Sequence, residues 1–310
     1  MRGVTTKRGI EMPFIWVFAI VAGVVILLTA IYSAGKIIKT GERLSSAEGG
    51  REIGVLINPL VTSFESGKTT EINTRIESII YNRCNSDTRF GKQIIRVSEK
   101  RFEKWSEADI NVQFSNKYIF SKEEIRGKNF FVFSKPFEFP FKISDLIYLT
   151  PAKEEYCFIN LPENLRRELV ELNQKNLIIE SCHEESIKVC FNSNSDCDIK
   201  VDYGEGVVEK NGSFMYFKTD ALMYAAIFSD PGIYECQLKR IMNRAKELAT
   251  LYKRKQDILR SVGCENFYDD NFQTLLESLD NFNSSEDLYI IHNIVNRLTR
   301  DNNLADCKLW

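Results

Sequence analysis

The sequence predicts an α+β fold with a single N-terminal transmembrane helix, a β-rich ectodomain with short helices, and a C-terminal helical subdomain stapled by disulfides. Three observations lead to this prediction. Residues 12–34 carry no charged side chain. β-Branched and aromatic residues concentrate in short runs between residues 94 and 217. After Asp230, apolar residues recur at helical spacing towards the end of the chain.

The uncharged run of residues 12–34 has the length and composition of a membrane-spanning helix. At about 1.5 Å of rise per residue it reaches roughly 35 Å, whereas the hydrocarbon core of a bilayer is about 30 Å thick. The aromatic run of residues 130–141 is interrupted by Lys135, Pro136 and Glu138, which predicts soluble core instead of a second span. The chain is therefore predicted to enter the lipid bilayer once, through residues 12–34.

Changes in composition divide the rest of the chain. Residues 1–11 are predicted as a cytoplasmic N-terminus or leader, and residues 35–50 as a juxtamembrane linker in which Ser and Gly indicate a flexible break. Residues 51–218 are predicted as a mixed, β-rich ectodomain. Residues 219–310 are predicted as a C-terminal α-helical subdomain.

The first element predicted after the linker is a helix. Ile72, Ile76, Ile79 and Ile80 recur at helical spacing, which predicts a helix that ends near Cys84. Runs of β-branched and aromatic residues then predict strands over residues 94–97, 112–114, 118–120, 130–133 and 137–141.

A short helix and a second group of strands follow. Pro162 opens the helix, in which leucines recur at positions 165, 169 and 172. Strands are predicted over residues 187–191, 199–201, 207–208 and 214–217. The dipeptide Asn211-Gly212 predicts a two-residue hairpin turn within this group.

The remainder is predicted to be helical. Asp230 is a suitable N-cap before Pro231, and an apolar period continues to a C-terminal cap at Gly263. Two shorter helices are predicted over residues 270–279 and 285–300. Ser284 and Asp287 have the spacing of a capping box at the start of the second.

Cysteine usage predicts where the large region lies. The chain has eight cysteines, all of them beyond the predicted span. An even number of cysteines confined to one side favours a fully paired domain in an oxidising, extracytoplasmic space. Asn211 and Asn283 also begin N-glycosylation sequons, which only an exported domain could use.

Helix lengths restrict the disulfide pairing. If residues 234–262 form one helix, Cys236 and Cys264 lie roughly 42 Å apart and cannot pair. A hairpin of the last two helices would bring Cys264 to Cys307, closing a loop of about 40 residues and stabilising by about 3 to 4 kcal/mol. Cys190 with Cys197 is the second expected pair. The other four cysteines allow three connectivities, of which we favour Cys157 with Cys182 and Cys84 with Cys236.

The residues before the span carry a recognisable motif. Lys7-Arg8-Gly9 is followed at once by Ile10-Glu11 and the apolar run. This order resembles the class III signal of archaeal type IV pilin-like proteins, over about the first 30 residues. The resemblance implies that a prepilin peptidase cuts after Gly9, and that Glu11 could neutralise the amine of a neighbouring subunit. The alternative is an uncleaved signal anchor whose basic residues hold the N-terminus in the cytoplasm.

Residues typical of catalytic or metal sites are sparse. Gly67-Lys68-Thr69-Thr70 resembles the end of a phosphate-binding loop, but position 62, where that motif needs glycine, is Thr62. Neither His183 nor His292 has a second ligand at metal-binding spacing. We therefore predict no catalytic residue, no metal and no cofactor. The net charge of -2 without a basic stripe argues against a nucleic-acid partner.

Two classes of function agree with these features. The first is a membrane-anchored extracytoplasmic structural or interaction protein at the cell surface, with a pilin-like subunit as one form, which meets protein partners or itself. The alternative is a tethered extracytoplasmic enzyme or solute-binding module. A sensor input domain is less favoured, since no cytoplasmic domain follows the span.

Overall fold

The structure is a computed structural model that describes residues 16–37, 69–101, 104–105, 111–192, 196–264 and 269–310. The chain divides into two units, Met1–Ser45 and Ser46–Trp310. In the first unit, helix α1 (Trp16–Ile37) has a mean hydropathy of 2.5 over its most apolar window and is exposed along its length. By length and composition α1 can cross a membrane. Thr29, its polar side chain near the middle, donates its hydroxyl to the Val25 carbonyl, so no unsatisfied hydroxyl faces outward there.

The second unit contains two sheets, and seven strands build the first. These strands are β1 (Thr69–Asn85), β2 (Lys92–Arg101), β3 (Lys104–Trp105), β4 (Val112–Phe114), β5 (Ile119–Phe120), β6 (Glu124–Glu138) and β7 (Lys142–Pro151). Their order is β3-β2-β1-β6-β7-β5, and β4 pairs with β2. All pairs are antiparallel except β5 with β7. The α+β class predicted from the sequence is confirmed.

The helix predicted over residues 72–84 is wrong, since this segment is the long strand β1. Its β-branched residues favour a strand on their own. Strand β1 bulges between Asn73 and Ser78, which shifts its register against β6. Ile72 and Ile80 enter one apolar cluster, and Ile79 is buried as well.

The strand predicted over residues 137–141 is wrong in its extent. Strand β6 ends at Glu138, and a cis peptide bond joins Phe139 to Pro140 in the turn before β7. Phe137, Phe139 and Phe141 are nevertheless all buried in one core. The alternation of aromatic residues therefore indicated burial correctly but not the end of the strand.

Six strands form the second sheet, in the order β13-β12-β11-β10-β8-β9. They are β8 (Tyr156–Ile159), β9 (Leu177–Ile179), β10 (Ile187–Phe191), β11 (Ile199–Asp202), β12 (Val207–Lys210) and β13 (Ser213–Tyr216). Strands β8 to β11 are parallel, and β12 and β13 are antiparallel additions. The predicted hairpin turn is confirmed, with φ of 52° at Asn211 and 74° at Gly212, as a type I′ turn requires.

Helices cover the sheets and form the C-terminal part. They are α2 (Glu163–Leu172), α3 (Asp220–Phe228), α4 (Pro231–Ser261), α5 (Asp269–Asp280) and α6 (Leu288–Leu304), with a 3-10 turn at Ser285–Asp287. The predicted capping box of Ser284 and Asp287 is confirmed. Helix α3 was not predicted, because all residues from Ala221 to Phe228 are buried and its sequence therefore shows no apolar period.

One large core joins these layers. Aromatic side chains from the sheets, such as Phe133 and Tyr148, meet the α3 residues Tyr224 and Phe228 at ring-centroid distances of 5.7 to 6.1 Å. The same cluster continues into α4, α5 and α6 and includes Leu309. The β-rich region and the C-terminal helices therefore share a core.

Candidate functional site

All eight cysteines are paired in four disulfides. The pairs are Cys84–Cys236, Cys157–Cys182, Cys190–Cys197 and Cys264–Cys307, the same pairs that the sequence favoured, with Cα atoms 5.4 to 6.2 Å apart. The last pair joins Cys264, which precedes α5, to Cys307, which follows α6, as expected of a helical hairpin. Because Cys190 and Cys197 are bonded to each other, they cannot offer thiolates to a metal.

A buried amide network lies beside the Cys84–Cys236 bond. The Asn82 side chain on β1 donates to the Ser121 hydroxyl at 2.8 Å. The Gln93 side chain on β2 donates to Asn82, and that of Gln237 on α4 donates to Gln93. All of these side chains are buried. Their hydrogen bonds to one another compensate for the loss of hydration, and the network fixes α4 against the first sheet.

Arg240 on α4 extends this network and is fully buried. Its guanidinium donates to the Gln237 side chain at 2.6 Å and to the backbone carbonyls of Lys117 and Phe90 at 2.9 and 3.1 Å. Burial lowers the pKa of Arg240 to about 10, which leaves it charged at neutral pH. Gly91 has a φ of +56°, and a Cβ there would lie 2.6 Å from the Arg240 Cγ. These contacts hold the backbone at Phe90 and Lys117 against α4, and the buried guanidinium presents no donor to solvent.

The histidines do not assemble a nucleophilic site. His183 Nδ1 lies 2.6 Å from the Glu155 carboxylate, and the Ser186 hydroxyl donates to the same carboxylate oxygen at 3.2 Å. The two side chains therefore share an acid and are not hydrogen-bonded to each other, although the Ser186 amide donates to the His183 carbonyl at 3.2 Å. His292 packs against Phe139, and burial lowers its pKa. In the part of the chain that the structure describes, no three His, Cys, Asp or Glu residues could hold a metal ion.

The two sequons lie in segments that one hydrogen bond joins. Asn211 is exposed at the tip of the β12–β13 hairpin, and Asn283 is exposed before the 3-10 turn. The Tyr216 amide of β13 donates to the Ser285 hydroxyl at 3.1 Å, which joins the two segments. The residues predicted for signal processing, Lys7, Arg8, Gly9 and Glu11, lie outside the described residues, as do Gly67 and Lys68.

A cluster of charged side chains surrounds the bulge of β1. We name it the basic pocket and define it by Glu77 and four cations, Lys100, Arg126, Lys128 and Lys153. The Arg126 guanidinium donates to one oxygen of Glu77 at 3.0 Å, and the Lys100 ammonium lies 4.0 Å from the other. Arg126 also lies over the Trp105 ring, 4.6 Å from its centroid. These contacts hold the carboxylate between two cations.

A cavity opens beside this carboxylate. It measures about 350 Å³ and is lined by Glu77, Lys128, Asn129 and Lys153. The hydrogen bond from Arg126, followed by the charges of Arg126, Lys100 and Lys153, lowers the pKa of Glu77. Lys128 and Lys153 are exposed, and neither forms an ion pair with any residue that the structure describes. The cavity is thus lined by two lysines without an ion pair among the described residues and by one carboxylate that Arg126 and Lys100 already contact.

Sequence reasoning missed the basic pocket because its cations come from three distant segments: β2, β6 and the turn after β7. The spacing of Arg126 and Lys128 was the available signal. Alternate residues of a strand share one face, so these two cations had to point the same way once β6 was recognised.

A second cavity, of about 320 Å³, lies at the Cys190–Cys197 loop, and four carboxylates, including Glu184 and Asp196, are among its lining residues. Asp198 accepts a hydrogen bond from the Lys188 amide at 2.8 Å, so this acid secures the loop.

Comparisons with protein-family models, with curated proteins and with solved structures gave no match to this chain.

Proposed function

We propose that this chain is a single-pass membrane protein whose domain beyond α1 is extracytoplasmic and acts as a structural or interaction module at the cell surface. The observation that supports this most directly is the complete pairing of the cysteines in a unit that follows one apolar helix. Disulfides of this number persist in oxidising compartments, and thiols remain reduced in the cytosol.

The topology is tested on intact cells that express the full chain with a C-terminal epitope. A protease that cannot cross membranes should remove the epitope, while a cytoplasmic marker protein stays intact. In the same cells, a maleimide-polymer reagent should modify none of the eight cysteines before reduction and all of them afterwards. Protection of the epitope, or free thiols before reduction, would contradict an extracytoplasmic domain.

A pilin-like role is the more specific form of this proposal. It rests on Lys7-Arg8-Gly9 before the apolar run, with cleavage after Gly9 and Glu11 at the second position of the mature chain. Mass spectrometry of the protein from its own membrane should then find Ile10 at the N-terminus. A peptide that joins Arg8 to Gly9 and Ile10 would instead identify an uncleaved signal anchor, and a start near Gly35 would identify a secreted protein.

One observation favours the second candidate function, a tethered solute-binding module. The basic pocket combines a cavity with two lining lysines, Lys128 and Lys153, that form no ion pair with any described residue. An enzyme is not proposed, since the side chains of Ser186 and His183 both contact Glu155 and do not form a nucleophile–base pair.

A further inference from the structure

The basic pocket owes its shape to the β1 bulge. Between the pairs Asn73 with Asn129 and Ser78 with Gly127, residues 74–77 of β1 face only one residue of β6. The Thr74 hydroxyl is 2.8 to 2.9 Å from the carbonyls of Ile76 and Lys128 and so secures the excursion. The bulge therefore places Glu77 and the lining residues around a concavity instead of along a flat sheet.

The charges of the pocket do not balance. The single negative charge of Glu77 is already engaged by Arg126 and Lys100. Lys128 and Lys153 line the same cavity, and neither pairs with an acid that the structure describes. An anion in the cavity would lie among Lys128, Lys153 and Asn129, whose side-chain amide is a donor.

We propose that the basic pocket binds a doubly charged phosphate group. A phosphate monoester carries close to two negative charges at neutral pH, which matches the two lysines that lack a partner. Lysine ammonium groups are common phosphate ligands and act as point charges. The cavity is near the lower end of the size range of small-molecule sites, which fits one phosphate group and its attached moiety. The site stands on this geometry and does not depend on the topology proposed above.

The test uses the full chain in a neutral detergent, with inorganic phosphate as the probe. Line broadening in 31P NMR gives the dissociation constant while chloride keeps the ionic strength constant. Lys128→Gln and Lys153→Gln should each weaken binding by about fivefold, the Coulomb effect of one charge near a dianion after screening. Lys175→Gln and Lys239→Gln remove the same charge from exposed lysines on other elements and should change the constant by less than about twofold.

Glu77→Gln provides a test of opposite sign. It removes the negative charge that lines the cavity, so phosphate should bind about fivefold more tightly. Circular dichroism of each variant establishes that it is folded. The proposal is overturned if the pocket lysines and the control lysines have equal effects, if Glu77→Gln fails to tighten binding, or if phosphate does not bind.

The source of the phosphate is distinguished in a second experiment. The chain, held in nanodiscs of phosphatidylcholine, is mixed with vesicles of phosphatidylcholine or of phosphatidylcholine with phosphatidic acid, and vesicle-bound protein is measured by flotation. Capture that requires phosphatidic acid and is lost in Lys128→Gln identifies a lipid headgroup. Binding of inorganic phosphate without vesicle capture identifies a soluble phosphorylated ligand. Because neither experiment reports topology, failure here leaves the protease result unaffected.

Discussion

Of the four disulfides, Cys84–Cys236 should be the one whose removal destabilises this protein most. The bond joins the end of β1 to the second turn of α4, across 152 residues of chain. We consider the variant Cys84→Ala/Cys236→Ala, in which the neighbouring network of Asn82, Gln93 and Gln237 can still hold α4 against the sheet. The folded contacts then change little, and the main effect is on the unfolded chain.

The magnitude follows from the loop that each bond closes. In the chain-entropy model, a loop of this length restricts the unfolded state by about 5 kcal/mol. The two disulfides inside the loop shorten it, but the logarithmic dependence on length makes that correction small. For Cys190–Cys197, with a separation of 7, the same model gives about 2.5 kcal/mol. The two double variants should therefore differ by roughly a factor of two.

The assay is urea unfolding of the detergent-solubilised full chain, followed by tryptophan fluorescence and by near-ultraviolet circular dichroism. Both double variants should unfold at lower urea than the unaltered protein, and Cys84→Ala/Cys236→Ala at the lowest. The slopes should increase as well, because an unfolded chain without the long loop is less compact. The reasoning is refuted if removal of Cys190–Cys197 costs as much as removal of Cys84–Cys236.

Three further predictions concern side chains outside the disulfides. Lys210 donates to two carbonyls at the end of α3, and burial lowers its pKa to about 8. Between that value and the ordinary pKa of about 10.4, the folded state binds fewer protons than the unfolded state. The free energy of unfolding should therefore rise by up to about 1.4 kcal/mol per pH unit from about pH 8. Lys210→Met should lack this rise in urea titrations, and an unchanged pH dependence would exclude Lys210 as its source. Gly91→Ala should destabilise by about 2 to 4 kcal/mol, whereas Gly212→Ala, at positive φ in open space, should cost about 1 kcal/mol; equal losses in thermal unfolding would mean that the crowding at Gly91 is absent. Glu235 accepts hydrogen bonds from the Ser285 amide and hydroxyl, so Glu235→Ala and Ser285→Ala should be coupled by about 1 to 2 kcal/mol in a double-mutant cycle, and simple additivity would show that the pair is not coupled.

Local patterns in the sequence predicted the elements whose signals act over a few residues. The Asn211-Gly212 turn, the capping box at Ser284 and the long helix from Pro231 all depend on neighbours within one or two turns. Residues 69–85 could not be predicted in this way, because their bulge depends on how β6 pairs with them. Helix α3 was missed for the opposite reason, since complete burial removes the contrast between faces on which a helical period relies.

The disulfide pairing could be predicted from the sequence because helix lengths limit which cysteines can approach each other. A continuous α4 separates Cys236 from Cys264, and the hairpin of α5 and α6 brings Cys264 to Cys307. The basic pocket could not be predicted in this way. Its lysines and arginine are separated along the chain by acids that the fold directs elsewhere; for example, Lys122 pairs with Glu154, the residue next to Lys153. A net charge counted along the sequence therefore does not show that the fold places cations on one face and their neighbouring acids on another.

Stability and phosphate binding should be separable, because β1 holds the disulfide and the pocket at different places. The bulge ends at Ser78, and Cys84 lies six residues further along, roughly 20 Å away at strand spacing. Between them β1 is paired with β2 from Ser78 to Asn85. Sites that are this far apart and share no partner have nearly additive effects. Cys84→Ala/Cys236→Ala should thus lower the free energy of unfolding while its phosphate dissociation constant stays within about twofold of that of the unaltered protein. A loss of binding as large as that in Lys128→Gln would show that the shape of the bulge depends on α4, and that the pocket is not set by β1 and β6 alone.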